Sequence, residues 1–148
     1  MSGTSLKSII FGFIAGAIAT VTVHEAINYI LLQAGIFPRV PWSMEPVPGF
    51  GFPQIVSDAA WGGLWGVIFA LILGDVPKGS MTLKGIILGI LGPALVGVFI
   101  LVPILTSKIP LFFNGDPNAI GSVLLILAGF GAATAWLYGF MTSGFRLP

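Results

Sequence analysis

The sequence predicts an all-α fold, an integral membrane bundle of four transmembrane helices with both termini on the cytoplasmic side. Three observations predict it. Hydrophobic residues make up 56% of the 148 and charged residues only 7%, against roughly a quarter charged in a soluble domain. Helix surfaces with so few charges are built for lipid, and the mean hydropathy of +1.05 agrees. Finally, the apolar residues gather into runs of ~19–24 residues, and at ~1.5 Å per residue each run crosses a ~30 Å hydrocarbon core. Closed barrels need shorter, alternating segments, so helices are preferred.

The runs are Ile9 to Leu32, Ile55 to Leu73, Leu83 to Leu105 and Ala119 to Met141. They predict helices over about 8–33, 54–74, 82–106 and 117–142 within a single membrane domain spanning 1–148. Lys7 followed by Ile9 to Gly16 and Ala17-Ile18-Ala19 has the outline of a signal peptide. The apolar stretch continues past Ala19, which favours an uncleaved first helix. Gly35 is placed to end that helix. Pro53 or Ser57 begins the second, Ser80 or Thr82 caps the third, and Asp116-Pro117 starts the fourth as N-cap and first-turn proline.

Orientation follows from the basic residues. Lys7, Lys78, Lys84 and Arg146 lie at the N-terminus, second loop and C-terminus, whereas Arg39 and Lys108 lie in the first and third loops. This puts both termini inside, in what reads as a bacterial inner membrane. The net charge of +1 argues against nucleic-acid partners and predicts no strong basic patch for anionic lipid. The absence of cysteine removes disulfides, thiolate metal sites and cysteine nucleophiles.

Helix packing in lipid depends on close backbone approach. Gly12 and Gly16, Gly62 and Gly66, and Gly85 and Gly89 are each spaced for one helix face, and Gly131, Ala135 and Gly139 extend the pattern to the fourth run. Pro93 removes an N–H and crowds the Gly89 carbonyl, so a kink is expected there, either as a bend for packing or as a hinge or carbonyl site. Pro103 lies further along the same run.

The chemistry-bearing residues are few. On an ideal helix Thr20, His24 and Asn28 form one stripe, with Glu25 at its edge and Gly12, Ala15, Gly16 and Ala19 on the opposite side. Asp58 is expected at similar depth on the second helix, so Thr20, His24, Glu25, Asn28 and Asp58 form a candidate intramembrane polar cluster, with Trp61 and Trp65 nearby. Ionisable groups in a membrane raise a functional hypothesis by default. Two readings stand: satisfied groups that fix helix register, with Asp58 favoured by the helix dipole, or a proton or cation site relayed by His24. One histidine matches no zinc motif and cannot supply bis-histidine haem ligation, so no metal and no cofactor are predicted.

The first loop holds five prolines between residues 38 and 53 with Trp42, Phe50 and Phe52 among them. Proline stiffens it and the aromatics predict that it folds onto the headgroup region, as an interfacial anchor or as a gate or docking surface over the polar cluster. Phe112, Phe113 and Asn114-Gly115 make the third loop a shorter counterpart. Trp136 and Tyr138 read as an interfacial belt. No phosphate loop or nucleophile elbow is present. The expected function is a non-enzymatic accessory or scaffold subunit, whose partners are the lipid bilayer and other membrane subunits or further copies of itself. The alternative is a small oligomeric transporter or channel using His24, Glu25, Asn28 and Asp58.

Overall fold

The computed structural model describes residues 4–147. They form four helices long and apolar enough to cross a membrane: α1 (Leu6–Gln33), α2 (Gln54–Leu73), α3 (Met81–Thr106) and α4 (Pro117–Thr142). No strand occurs among the described residues; one isolated bridge joins Pro46 to Pro53. Local chemistry sets the boundaries. The hydroxyls of Ser5 and Ser80 accept from the Ser8 and Leu83 N–H groups, and the Asp116 carboxylate accepts from Asn118 N–H. α1 ends at Gly35, which takes φ 70° while the Gly35 and Ile36 N–H groups return to the Leu32 and Leu31 carbonyls. That pattern closes the orphan carbonyls of a helix terminus.

Backbone-to-backbone contact pairs the helices. A Cβ built on Gly16 would fall on the Gly62 carbonyl, and one on Gly12 or Gly66 would fall on the other's carbonyl oxygen. The same holds for Gly85 and Gly131, while Gly89 rests on the Leu127 carbonyl. The descending register makes α1–α2 and α3–α4 antiparallel pairs. Between them α1 packs on α4, where Gly129 receives the Ile27 side chain. The lateral order is therefore α2–α1–α4–α3. Apolar burial gives little between helices in lipid, so these close approaches supply the dispersion contact that holds the pairs.

Two stretches depart from the α-helix. Thr20–His24 in α1 and Ile90–Leu101 in α3 are π-helical, with i→i+5 bonds such as Glu25 N–H to the Thr20 carbonyl and Val102 N–H to the Gly97 carbonyl. Pro93 is buried in the first turn of the α3 stretch. The wider turn also places Gly92 and Gly97, five residues apart, against the ring of Trp65 from α2. Trp65 thus packs on α3 rather than joining the polar groups, and Trp61 is 55% exposed.

The ends of the bundle are chemically different. At the terminal end Ser5 N–H and Oγ donate to Asp75 Oδ1 at 2.9 and 3.0 Å, tying the start of α1 to the α2–α3 loop. Tyr138 is completely buried, and its hydroxyl donates to the Gly74 carbonyl at 2.7 Å. This corrects the belt expectation for Tyr138: it is a core residue whose one polar atom caps the exit of α2. At the opposite end Phe112, Phe113 and Asn114 form a left-handed turn with φ of 48°, 50° and 52°. Phe112 stacks on Phe99 at 5.4 Å and Phe113 meets Phe37 edge-on at 6.4 Å, contacts that offset the unfavourable backbone.

Two outcomes follow for stability. Gly16→Ala must push α1 from α2 and should lower unfolding free energy by about 1–3 kcal/mol. Gly121→Ala, where nothing lies within 4 Å of a new Cβ, should be neutral or stabilise by up to about 1 kcal/mol. Unfolding in mixed micelles measures both. The Ser8 hydroxyl and Ser5 N–H hold the Asp75 carboxyl below its usual value of 3.8. A depressed carboxylate stabilises the fold above its unfolded pKa and loses that contribution as pH falls through the folded value. Thermal midpoints of the wild type should therefore fall more steeply below about pH 4 than those of Asp75→Asn.

Candidate functional site

The polar residues of α1 meet the first loop at the end of the bundle away from the termini. Glu25 has no exposed surface. Its Oε1 accepts from Arg39 Nη1 at 3.0 Å and lies 2.8 Å from His24 Nδ1, while its Oε2 accepts from the Trp42 backbone N–H at 2.6 Å. Arg39 spans to α2, where Nη2 donates to Asp58 Oδ2 at 2.5 Å. Gln54 Nε2 supplies the other Asp58 oxygen at 2.9 Å. One guanidinium, about a third exposed, thus joins two carboxylates on different helices. The planar fork of arginine suits this shared role better than an ammonium would.

The π-helical turn explains which residues take part. Buried positions on α1 run through Gly12, Ala15, Gly16, Ala19 and Thr20, then step five residues to Glu25 before Asn28 and Leu31. A residue inserted into a helix rotates everything after it by about 100°. The expected opposition of a polar face and a small-residue face is therefore corrected: both lie on one buried stripe, and Glu25 succeeds Thr20 where His24 was expected. His24 turns to the rim, with its side chain 17% exposed and its ring edge-on to Phe130 at 6.3 Å.

Not every candidate enters the network. Thr20 donates to its own helix at the Gly16 carbonyl, 2.8 Å away, and packs on Gly62. Asn28 is fully buried, yet neither its amide nitrogen nor its oxygen has a partner; Ser122 Oγ on α4 is also buried without one. Among the described residues no three histidine, aspartate or glutamate side chains come together as metal ligands.

The loop reaches the site through Trp42, held at φ 48°. A bulky residue there is strained. Two bonds retain it: the N–H to Glu25, and indole Nε1 to the Val21 carbonyl at 2.8 Å, beside the carbonyl-widening π turn. Phe50 and Phe52 sit further along, their rings 5.5 Å apart, on a turn closed by Val47 N–H to the Phe52 carbonyl. Phe50 is 75% exposed and belongs to the loop's outer surface. Arg39 and the Trp42 N–H are the groups that sequence reasoning missed. The available signal was charge: two carboxylates on apolar helices whose spans hold no basic residue except Lys7 at the far end of α1, and one arginine in the loop connecting them.

No family model matches this chain, and neither a curated protein nor a solved structure does. The class that fold and site define is a four-helix, multi-pass membrane protein with a loop clasped to a buried carboxylate.

Removing Arg39 leaves the buried Glu25 carboxyl with only His24 and the Trp42 N–H as partners. Arg39→Gln should cost about 3–5 kcal/mol. Adding Glu25→Gln to that variant should recover part of the loss, giving a coupling of at least about 1 kcal/mol in a double-mutant cycle. Additive effects would contradict the shared ion pair.

Proposed function

We propose that this protein is a non-enzymatic accessory or scaffold subunit of a membrane complex. The observation that carries the reading is that the carboxylate oxygens of the polar cluster are already occupied from within the chain. Both oxygens of Glu25 and both of Asp58 are engaged by groups of the same chain. A cation site needs oxygen ligands free to bind; here Arg39 already takes that place. What the cluster does instead is fix a proline- and aromatic-rich loop on one end of a tightly paired bundle, as a rigid surface would be fixed for a partner.

A second reading retains support from Asn28, whose unpartnered amide lies one helical turn from Glu25. It takes the protein as a small transporter or channel in which a proton or cation passes His24, Glu25, Asn28 and Asp58. Under either reading the distribution of Lys7, Lys78, Lys84 and Arg146 against Arg39 and Lys108 supports cytoplasmic termini in a bacterial inner membrane.

Native mass spectrometry after extraction in mild detergent should recover partner chains with this protein; a lone stable species would contradict the accessory role. In proteoliposomes, Glu25→Gln should leave proton and cation flux at the level of protein-free vesicles, as should the wild type. A wild-type flux abolished by Glu25→Gln would establish the second reading.

A further inference from the structure

The net charge of +1 conceals a segregation that the antiparallel fold makes spatial. The terminal end collects Lys7, Lys78, Lys84 and Arg146 against one carboxylate, Asp75, whereas the loop end holds Arg39 and Lys108 against Glu25, Glu45, Asp58 and Asp116. Four of the six basic side chains thus lie at the same end.

That end has a furrow beneath it. Between α1 and α4 runs a groove of about 410 Å³, lined by Ile18, Thr22 and Val23 on one wall, Ala133 and Trp136 on the other, and Thr82 from the first turn of α3. Its surface is apolar. Thr22 turns its hydroxyl to the Ile18 carbonyl at 2.6 Å, within its own helix. Small residues on α4 keep the groove open.

An unbroken series of rings connects this groove to a cation. Trp136 stacks on Phe140 at 5.6 Å, Phe140 meets Phe145 at 5.5 Å, Phe145 meets Phe11 at 6.3 Å, and the Lys7 ammonium stands over Phe11 at 5.4 Å. From Lys7 to Ile18 the rise along α1 is about 16 Å, close to the depth of one leaflet's hydrocarbon. Lys7 and Ile18, eleven residues apart, lie on one face of α1, whereas Lys84 stands about 200° around α3 from Thr82 with its Nζ donating to the Lys78 carbonyl, so Lys7 is the cation aligned with the groove. Charge and apolar furrow are thus spaced as the phosphate and chain of one lipid are spaced.

We propose that the groove is a binding site for an anionic phospholipid, with an acyl chain between α1 and α4 and the phosphate at Lys7. Charge complementarity selects the occupant: a zwitterionic lipid fills the groove equally well but gains nothing from the four cations. Each lysine near a phosphate contributes about five-fold in affinity.

Brominated lipids quench nearby tryptophan, and Trp136 can be isolated by subtracting the emission of Trp136→Phe. The protein should be reconstituted in phosphatidylcholine vesicles containing either brominated phosphatidylglycerol or brominated phosphatidylcholine. The Trp136 component should show a preference of at least about five-fold for the anionic lipid. Lys7→Gln should bring it to within about two-fold, while Lys7→Arg should retain it. Equal quenching by the two lipids in the wild type, or a preference unchanged by Lys7→Gln, would overturn the assignment.

Discussion

A carboxylate with no exposed surface in an apolar bundle must be neutralised, and Arg39 is the group that does it for Glu25. Desolvating an ion costs several kcal/mol, which a partner repays only with good geometry and further hydrogen bonds. Those bonds come from His24 and from the Trp42 backbone, so the requirement reaches beyond one ion pair. It fixes the path of the first loop, holds Trp42 in a left-handed conformation, and links α1 to α2 through Asp58. The π-helical turn is part of the same arrangement, since it turns Glu25 inward and leaves the Val21 carbonyl for the Trp42 indole.

Much of the architecture is legible in the sequence because membrane helices obey strong local rules. Four apolar runs, Ser80 and Asp116 as N-caps, and Gly35 as a left-handed terminator are properties of a few consecutive residues. The glycine pairs were legible as well, since a four-residue repeat stays on one face in an uninterrupted α-helix. The site was less so. A uniform helix sets one angular position each for His24, Glu25 and Asn28, and a single five-residue step between Thr20 and Glu25 moves them all. In sequence Arg39 reads as an orientation charge, yet the two carboxylates need a cation and it is the one on the connecting loop. Tyr138 looked interfacial because its rank along α4 was visible and its burial against the end of α2 was not.

The two ends of the bundle use different means for different purposes. At the loop end, Glu25, Arg39 and Asp58 are drawn together under the first loop, which makes a firm surface. At the terminal end, serine hydroxyls and a tyrosine settle the local hydrogen bonds at Asp75 and Gly74, leaving lysines unneutralised above an apolar furrow. A partner subunit and an anionic lipid would therefore meet the protein at opposite faces of the membrane.

The central claim is that the first loop is clasped to α1 by Glu25. Amide hydrogen exchange over residues 38–46 in detergent micelles tests it most directly, because the Trp42 N–H is a donor to the buried carboxylate. Protection at Trp42 in the wild type, lost in Glu25→Ala while the α2 and α4 amides remain protected, is the predicted result. Rapid exchange at Trp42 in the wild type, or protection indifferent to the side chain at position 25, would contradict it.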